Sequence, residues 1–189
     1  GAYEHIASAY LELARYQDAI EYSRKVLDID PYSAGAFVKI GLAYVLMGRY
    51  PEAVPFLQKA IEIDPENPNM AVAYNSLGVS YVSSDEYEEA VPFFEKAVQV
   101  DPSYAEAYSN LGRAYAKEGY IDKAIVNLRN AVNIDGTLSN AYFNLAQCYG
   151  VSGPKILEKN AYLKAKELYQ NEGRYDRVQL IEEILRSKE

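Results

Sequence analysis

Tyr74-Asn75-Ser76-Leu77-Gly78-Val79-Ser80-Tyr81, followed by Ala90, Phe94, Ala97 and Pro102, is the stretch from which the fold is read. Tyr74, Leu77, Gly78 and Tyr81 fall at i, i+3, i+4 and i+7, one stripe of an amphipathic helix. Ala90, Phe94 and Ala97 repeat an i, i+4, i+7 spacing and mark a second helix. Asp101-Pro102 ends it, because proline cannot continue the helix before it. Gly78 facing Ala90 lets two helix backbones approach closely.

Outward from this stretch the same marks recur. The terminating prolines Pro31, Pro65 and Pro102 and the leading aromatics Tyr3, Phe37, Tyr74, Tyr108 and Tyr142 follow one another at a near-constant interval. The interval is about 34 residues, the length of a helix–turn–helix unit, and a fixed period of this kind is the signature of a tandem helical repeat. Phe37, Ile40, Gly41, Tyr44 and Tyr108, Leu111, Gly112, Tyr115 reproduce the first-helix stripe, and Ala53, Leu57, Ala60 the second. Breaks at Gly48-Arg49-Tyr50 and Gly119-Tyr120 separate the two helices, and Gly41 and Gly112 are read as facing Ala53 and Ala124. The steps from Pro65 to Pro102 and from Phe37 to Tyr74 are slightly longer than the rest. The extra residues fall in Asp64-Pro65-Glu66-Asn67-Pro68-Asn69-Met70, where Asn67 as cap and Pro68 as first helical residue predict a first helix lengthened by about a turn.

The aromatic, Leu-Gly, tyrosine, alanine, aromatic, alanine and proline slots filled by Tyr74 to Pro102 resemble the tetratricopeptide repeat, with tyrosine in place of the usual tryptophan. Residues 34–69 and 105–138 fit almost as well, and 1–33 fit with Ala7, Ser23 and Val26 where glycine, an aromatic and alanine are usual. The resemblance implies an all-α, right-handed superhelical solenoid of antiparallel helix pairs, about 11 helices, forming one repeat domain. Its repeats are read as 1–33, 34–70, 71–104, 105–138 and 139–172, the last with an atypically long second helix carrying Tyr162 and Ala165. Residues 173–189 then form a C-terminal capping helix that presents Arg177, Glu182, Glu183 and Arg186 to water. Phasing residues 155–172 as the first helix of a sixth repeat, through Tyr162, Tyr169 and Tyr175, is the alternative.

Composition narrows the function. The net charge of −8 argues against a chain built to neutralise phosphates, so no nucleic-acid partner is expected. Residues 155–189 carry net +1, which leaves −9 on 1–154. The sequence has no apolar run long enough for membrane insertion and no signal-peptide pattern at its N-terminus, so a cytoplasmic location is expected. One cysteine and one histidine cannot assemble a disulfide, a zinc site or a nucleophile–base pair, and no phosphate-binding glycine loop is present. His5 reads as a solvent-side residue, Cys148 as a small buried hydrophobe, and the acidic run Asp85 to Glu89 as a helix start. No catalysis, cofactor or metal is expected.

The first helices would line the concave side, as the resemblance implies. Two and five residues after each leading aromatic, side chains lie roughly 140° to 200° from it, away from the buried stripe. The first set is His5, Lys39, Ser76, Asn110 and Asn144, and the second Ser8, Leu42, Val79, Arg113 and Gln147. Leu42 and Val79, with Val45 and Val82 nearby, form an apolar floor, while Asn110, Arg113, Asn144 and Gln147 form a polar, locally basic zone. Carboxamides pair with both N–H and C=O of an extended backbone, and an apolar floor accepts an anchor. Lys39, Leu42, Ser76, Val79, Asn110, Arg113, Asn144 and Gln147 are therefore the expected peptide-binding residues of a protein-interaction adaptor.

The Hsp70 and Hsp90 carboxylate clamp of related chaperone-binding proteins is not matched, since its slots hold Glu4, Ser8, Lys39, Val72 and Ser76. Asn110 and Asn144 echo the asparagine ladder of the O-linked sugar transferases in two rungs only. Self-association into a homo-oligomeric scaffold is the alternative function, and a regulatory domain of a larger protein a third.

Overall fold

The structure, a computed structural model, describes residues 1–65, 67 and 69–188. Among the described residues the regular elements are eleven α-helices. They fall into two compact units, Gly1–Pro102 and Ser103–Glu189. The first unit holds α1 (Ala2–Glu12), α2 (Tyr16–Ile29), α3 (Ala34–Leu46), α4 (Tyr50–Ile63), α5 (Met70–Val82) and α6 (Tyr87–Val100). The second holds α7 (Ala105–Lys117), α8 (Ile121–Ile134), α9 (Ser139–Ser152), α10 (Lys155–Asn171) and α11 (Tyr175–Arg186).

Five of the turns between successive helices are of one kind. The residue at the turn takes a left-handed backbone: Ala14 (φ 54°), Gly48 (71°), Asp85 (61°), Gly119 (82°) and Gly173 (72°). The following N–H then reaches back to a tyrosine carbonyl, from Arg15 to Tyr10, Arg49 to Tyr44, Glu86 to Tyr81, Tyr120 to Tyr115 and Arg174 to Tyr169, at 2.8 to 3.1 Å. This is the bond that satisfies an orphan carbonyl at a helix end. Glycine adopts this backbone freely, whereas Ala14 holds it at a cost of about 1–2 kcal/mol. Second helices end on Asp30, Asp64, Asp101 and Asp135, whose own N–H groups complete the last helical bonds. The Asp30 and Asp135 carboxylates accept from the N–H two residues on, at 3.1 and 2.8 Å, and so turn the chain.

Packing inside each pair rests on the small residues read from the sequence, with one difference in partner. A Cβ added to Gly41, Gly78 or Gly112 would lie 2.5 to 2.6 Å from a side-chain carbon of Leu57, Phe94 or Leu128. These large side chains, fully buried, fill the room left by glycine. The carbonyl oxygens of Ala53 and Ala124 would lie 3.4 and 3.1 Å from a Cβ added to Gly41 and Gly112. The first helices also neighbour one another, α1 with α3 and α3 with α5 in the first unit, α7 with α9 in the second.

The insertion before α5 acts differently from expectation. α5 has 13 residues, the same as α3 and α7, so the helix is not a turn longer. The connection 64–69 is longer instead, where 30–33, 101–104 and 135–138 suffice elsewhere. Asn69 stands at the helix entrance, while Asn67 donates its amide to Asp64 Oδ2 at 2.8 Å and accepts from the Asn69 N–H at 2.9 Å. The side chain that was expected to cap the helix therefore closes the loop. The expected role of Pro68 as first helical residue lies outside the described residues.

At the C-terminal end α10, 17 residues long, packs along α9, and α11 packs on α10. Tyr162, Ala165 and Tyr169 of α10 form a buried cluster with Phe143, Val178 and Ile181. α10 ends in the same turn as the first helices, at Gly173. The polar residues of α11 do not all face water. Glu182 pairs with Lys166 at 2.6 Å, and Arg177 is half-buried over the Phe143 ring at 5.8 Å. One edge of α11 is thus enclosed by side chains of α9 and α10, while Glu183 and Arg186 remain exposed.

Candidate functional site

On α7 the side chains of Leu111 and Tyr115 are buried along with Gly112, which turns Asn110 and Arg113 toward the opposite face. On α9, Leu145 and Ala146 are buried while Asn144 is half-buried and Gln147 exposed. Because α7 and α9 are neighbours, these polar residues meet. Asn110, Arg113 and Asn144 line a cavity of about 560 Å³ together with Asn140, Arg174 and Arg177. Arg113 and Asn144 also line an adjoining cavity of about 350 Å³, where Gln147 joins Ala116, Ile121 and Val151. The first cavity is polar and the second mostly apolar.

Two cations of the larger cavity are held by aromatic rings. The Arg174 guanidinium lies 4.6 Å from the Tyr169 ring centroid, and the Arg177 guanidinium sits over Phe143. Arg174 is 3.5 Å from Glu172, and Arg177 is 3.9 Å from the exposed Asp176. Asn140 Oδ1 accepts a hydrogen bond from the buried Tyr169 hydroxyl at 2.7 Å, which orients its amide group. Arg113 differs: its Nε is buried and makes no hydrogen bond. Two acidic residues, Glu106 and Glu172, also line the cavity against the three arginines. The arrangement offers charge-assisted donors and carboxamides to a polar, extended ligand and holds no nucleophile–base pair.

In the first unit, Lys39 and Leu42 lie on α3 and Ser76 and Val79 on α5, two neighbouring helices. Lys39, Leu42 and Val79 are half-buried. Ser76 is 3% exposed, so its hydroxyl does not lie open to a ligand, and its backbone carbonyl accepts from Ser80 Oγ at 2.9 Å. Val45 and Val82 are half-buried at the ends of the same helices.

His5 is exposed, with Nδ1 3.0 Å from the Gly1 carbonyl, and Cys148 is buried. Burial pushes the Cys148 thiol above its ordinary range. Among the described residues no group of His, Cys, Asp or Glu is placed to hold a metal ion. No described helix is long and apolar enough to cross a membrane. A third cavity, about 600 Å³, lies beside Tyr149, Tyr162 and Leu185; its buried Glu158 carboxylate is taken by Lys188.

Sequence reasoning missed Arg174, Arg177 and Asn140. Asn140 precedes the leading aromatic of its repeat and lies outside the positions counted from it, while the two arginines come from an element assigned to capping. A signal for Arg174 was nevertheless present. Tyr10 and Arg15, Tyr44 and Arg49, Tyr169 and Arg174 share one spacing, and in each pair the guanidinium sits 4.5 to 4.9 Å over the ring.

Comparison with known proteins bears on both fold and site. Sequence models of the tetratricopeptide repeat match residues 1–33, 32–103 and 81–126, which together run without a gap. No curated protein sequence matches the chain. Among solved structures the chain is similar to MamA at 27% identity, covering 90% of this chain and 98% of that one with a TM-score of 0.72. It is also similar to MamA from Desulfovibrio magneticus RS-1, at 23% identity over 93% of this chain and 96% of that one, TM-score 0.69. YrrB, described as a TPR protein with an unusual peptide-binding site, matches at 23% identity over 88% of this chain and 84% of that one, TM-score 0.68. At 23% identity the last two likenesses show the fold alone.

Proposed function

The chain belongs to the tetratricopeptide repeat family, whose members are protein-interaction scaffolds rather than enzymes, and from that premise we propose that its second unit binds an extended segment of a partner protein across α7 and α9. One observation carries the reading: Asn110, Arg113 and Asn144, from two successive first helices, line a single cavity of about 560 Å³. Such a cavity is of a size that takes a few residues of a ligand. Asparagine side chains reading both backbone N–H and C=O hold an extended chain without demanding a particular sequence, and the arginines add charged anchors. In the first unit, Lys39, Leu42 and Val79 extend the same reading to α3 and α5, whereas Ser76 contributes no accessible hydroxyl.

The test compares the wild-type chain with an Asn110→Ala, Arg113→Glu, Asn144→Ala variant, both immobilised after circular dichroism has shown equal helicity. A protein captured from source-cell lysate by the wild type and lost by the variant supports the reading. Equal capture by both removes these residues from the binding surface.

Self-association is a second reading, favoured by four apolar residues at the end of α9 and along α10. Val151, Ile156, Leu157 and Leu163 are 70%, 62%, 42% and 45% exposed, and Ile156 and Leu163 share one helix face. A molar mass that rises with concentration in light scattering, and falls in an Ile156→Asp, Leu163→Asp variant, supports it; a constant monomer mass removes it.

A further inference from the structure

Ser23 and Arg113 each bury a polar side-chain atom without a hydrogen-bond partner, and Arg113 is the one that lines the cavities described above. Its Nε is buried without a hydrogen-bond partner, although buried polar groups in native structures are almost always satisfied. Arginine presents Nε–H and a terminal N–H side by side, a fork that matches the two oxygens of a carboxylate. The cavity around it is biased the same way: Arg174 and Arg177 also line it, each seated over an aromatic ring, in a chain of net charge −8. The bias is small, because Glu106 and Glu172 share the lining with the three arginines and leave one net positive charge, which a single carboxylate balances.

The second cavity extends the specificity. Arg113 and Asn144 belong to both cavities, so a segment anchored in the first continues past them into the second. There it meets Ala116, Ile121 and Val151 beside Lys117, a lining whose surface is mostly apolar and suited to an apolar side chain. We infer that this site recognises an extended peptide through the side-chain carboxylate of an acidic residue, held by Arg113, together with an apolar side chain a few residues away in the adjoining cavity. The inference rests on the reading of the α7 and α9 face as a peptide site, and it names what that peptide must contain. An internal acidic side chain is the source we assign to the carboxylate, and a probe with both termini blocked isolates it.

The probe is a library of N-acetylated, C-amidated dodecapeptides randomised at every position, panned against the full chain. The expected result is enrichment of Asp or Glu at one position and of a bulky apolar residue at a fixed distance from it. Arg113→Gln and Arg113→Lys, the second keeping the charge and losing the fork, weaken the best peptide by about tenfold or more. Changing that peptide's acid to its amide costs as much on the wild type and little on Arg113→Gln, the coupling expected of a direct pair. Val151→Asp, at a position 70% exposed and free to change without unfolding the chain, removes the apolar preference alone. Peptides enriched without an acidic position overturn this inference and leave the peptide site standing. Failure of the wild type to enrich any peptide overturns both.

Discussion

The hydroxyl of Tyr169 on α10 donates a 2.7 Å hydrogen bond to Asn140 Oδ1 on α9, at the wall of the arginine-lined cavity. The same Tyr169 ring is fully buried, lies edge-on to Phe143 at 6.4 Å and carries Arg174 over one of its faces. One side chain thus supports three elements of the site.

Tyr169→Phe keeps the ring and removes only the hydroxyl. The expected cost is about 0.5–1.5 kcal/mol, that of one intramolecular hydrogen bond. Urea unfolding reads it as a lower midpoint at unchanged helicity. A variant as stable as the wild type would show that the Asn140 bond is replaced by water without loss.

Gly78→Ala sets two effects against each other. Alanine gains about 1 kcal/mol in helix propensity, but its Cβ would lie 2.5 to 2.8 Å from three ring carbons of the fully buried Phe94, and such overpacking costs about 1–3 kcal/mol. Packing wins, so the melting temperature should fall. Gly35→Ala, whose new Cβ would meet only the flexible end of Lys39 at 3.8 Å, should leave stability equal or higher. The same response in both variants would remove the packing explanation.

Ser23 occupies a fully buried slot on α2, and its hydroxyl has no hydrogen-bond partner. An unsatisfied buried hydroxyl is a net cost, so Ser23→Ala, nearly equal in volume, should stabilise the chain by about 1 kcal/mol. Chemical denaturation measures the gain directly. A loss would mean that the hydroxyl finds a partner in solution.

The second unit should weaken in alkali. Burial pushes the Cys148 thiol and the Tyr162 and Tyr169 phenols above their ordinary values. Each contributes no penalty below its unfolded pKa, about 8.5 for the thiol and about 10 for the phenols, and stability falls as pH rises from there through the higher folded pKa. Melting temperature should therefore hold near neutrality and decline above about pH 8.5. Cys148→Ala should delay the first part of the decline, and a thiol reagent should label Cys148 slowly until urea unfolds the chain. A flat alkaline profile would contradict the burial of all three.

The helices were legible because their punctuation is local. Glycine at a left-handed turn, Asp-Pro at a helix end and a regularly recurring aromatic act on neighbouring backbone, and the structure places helix ends at Gly48, Gly119 and Gly173 accordingly. Where local rules compete, the reading failed: Asn67 had the chemistry to cap a helix and used it to close a loop with Asp64 and Asn69. Helical phase likewise picked out Asn110, Arg113 and Asn144, since all lie away from the buried stripe, but it also picked out Ser76, which is buried. Phase reports a direction around one helix, and burial depends on what stands opposite.

By itself the sequence determined a tandem helical repeat, the breaks at Gly48, Gly119 and Gly173 and a face rich in carboxamides, all properties of spacing within a single repeat unit. Only the tertiary structure decided which charges share a cavity. Arg174 and Arg177 reach Asn110 and Arg113, far earlier in the chain, because α11 packs on α10 through Val178 and Ile181, against a cluster that Phe143 and Tyr169 complete. That docking is set by how apolar side chains fill the space between helices, a property of all the partners at once that no single stretch of sequence carries.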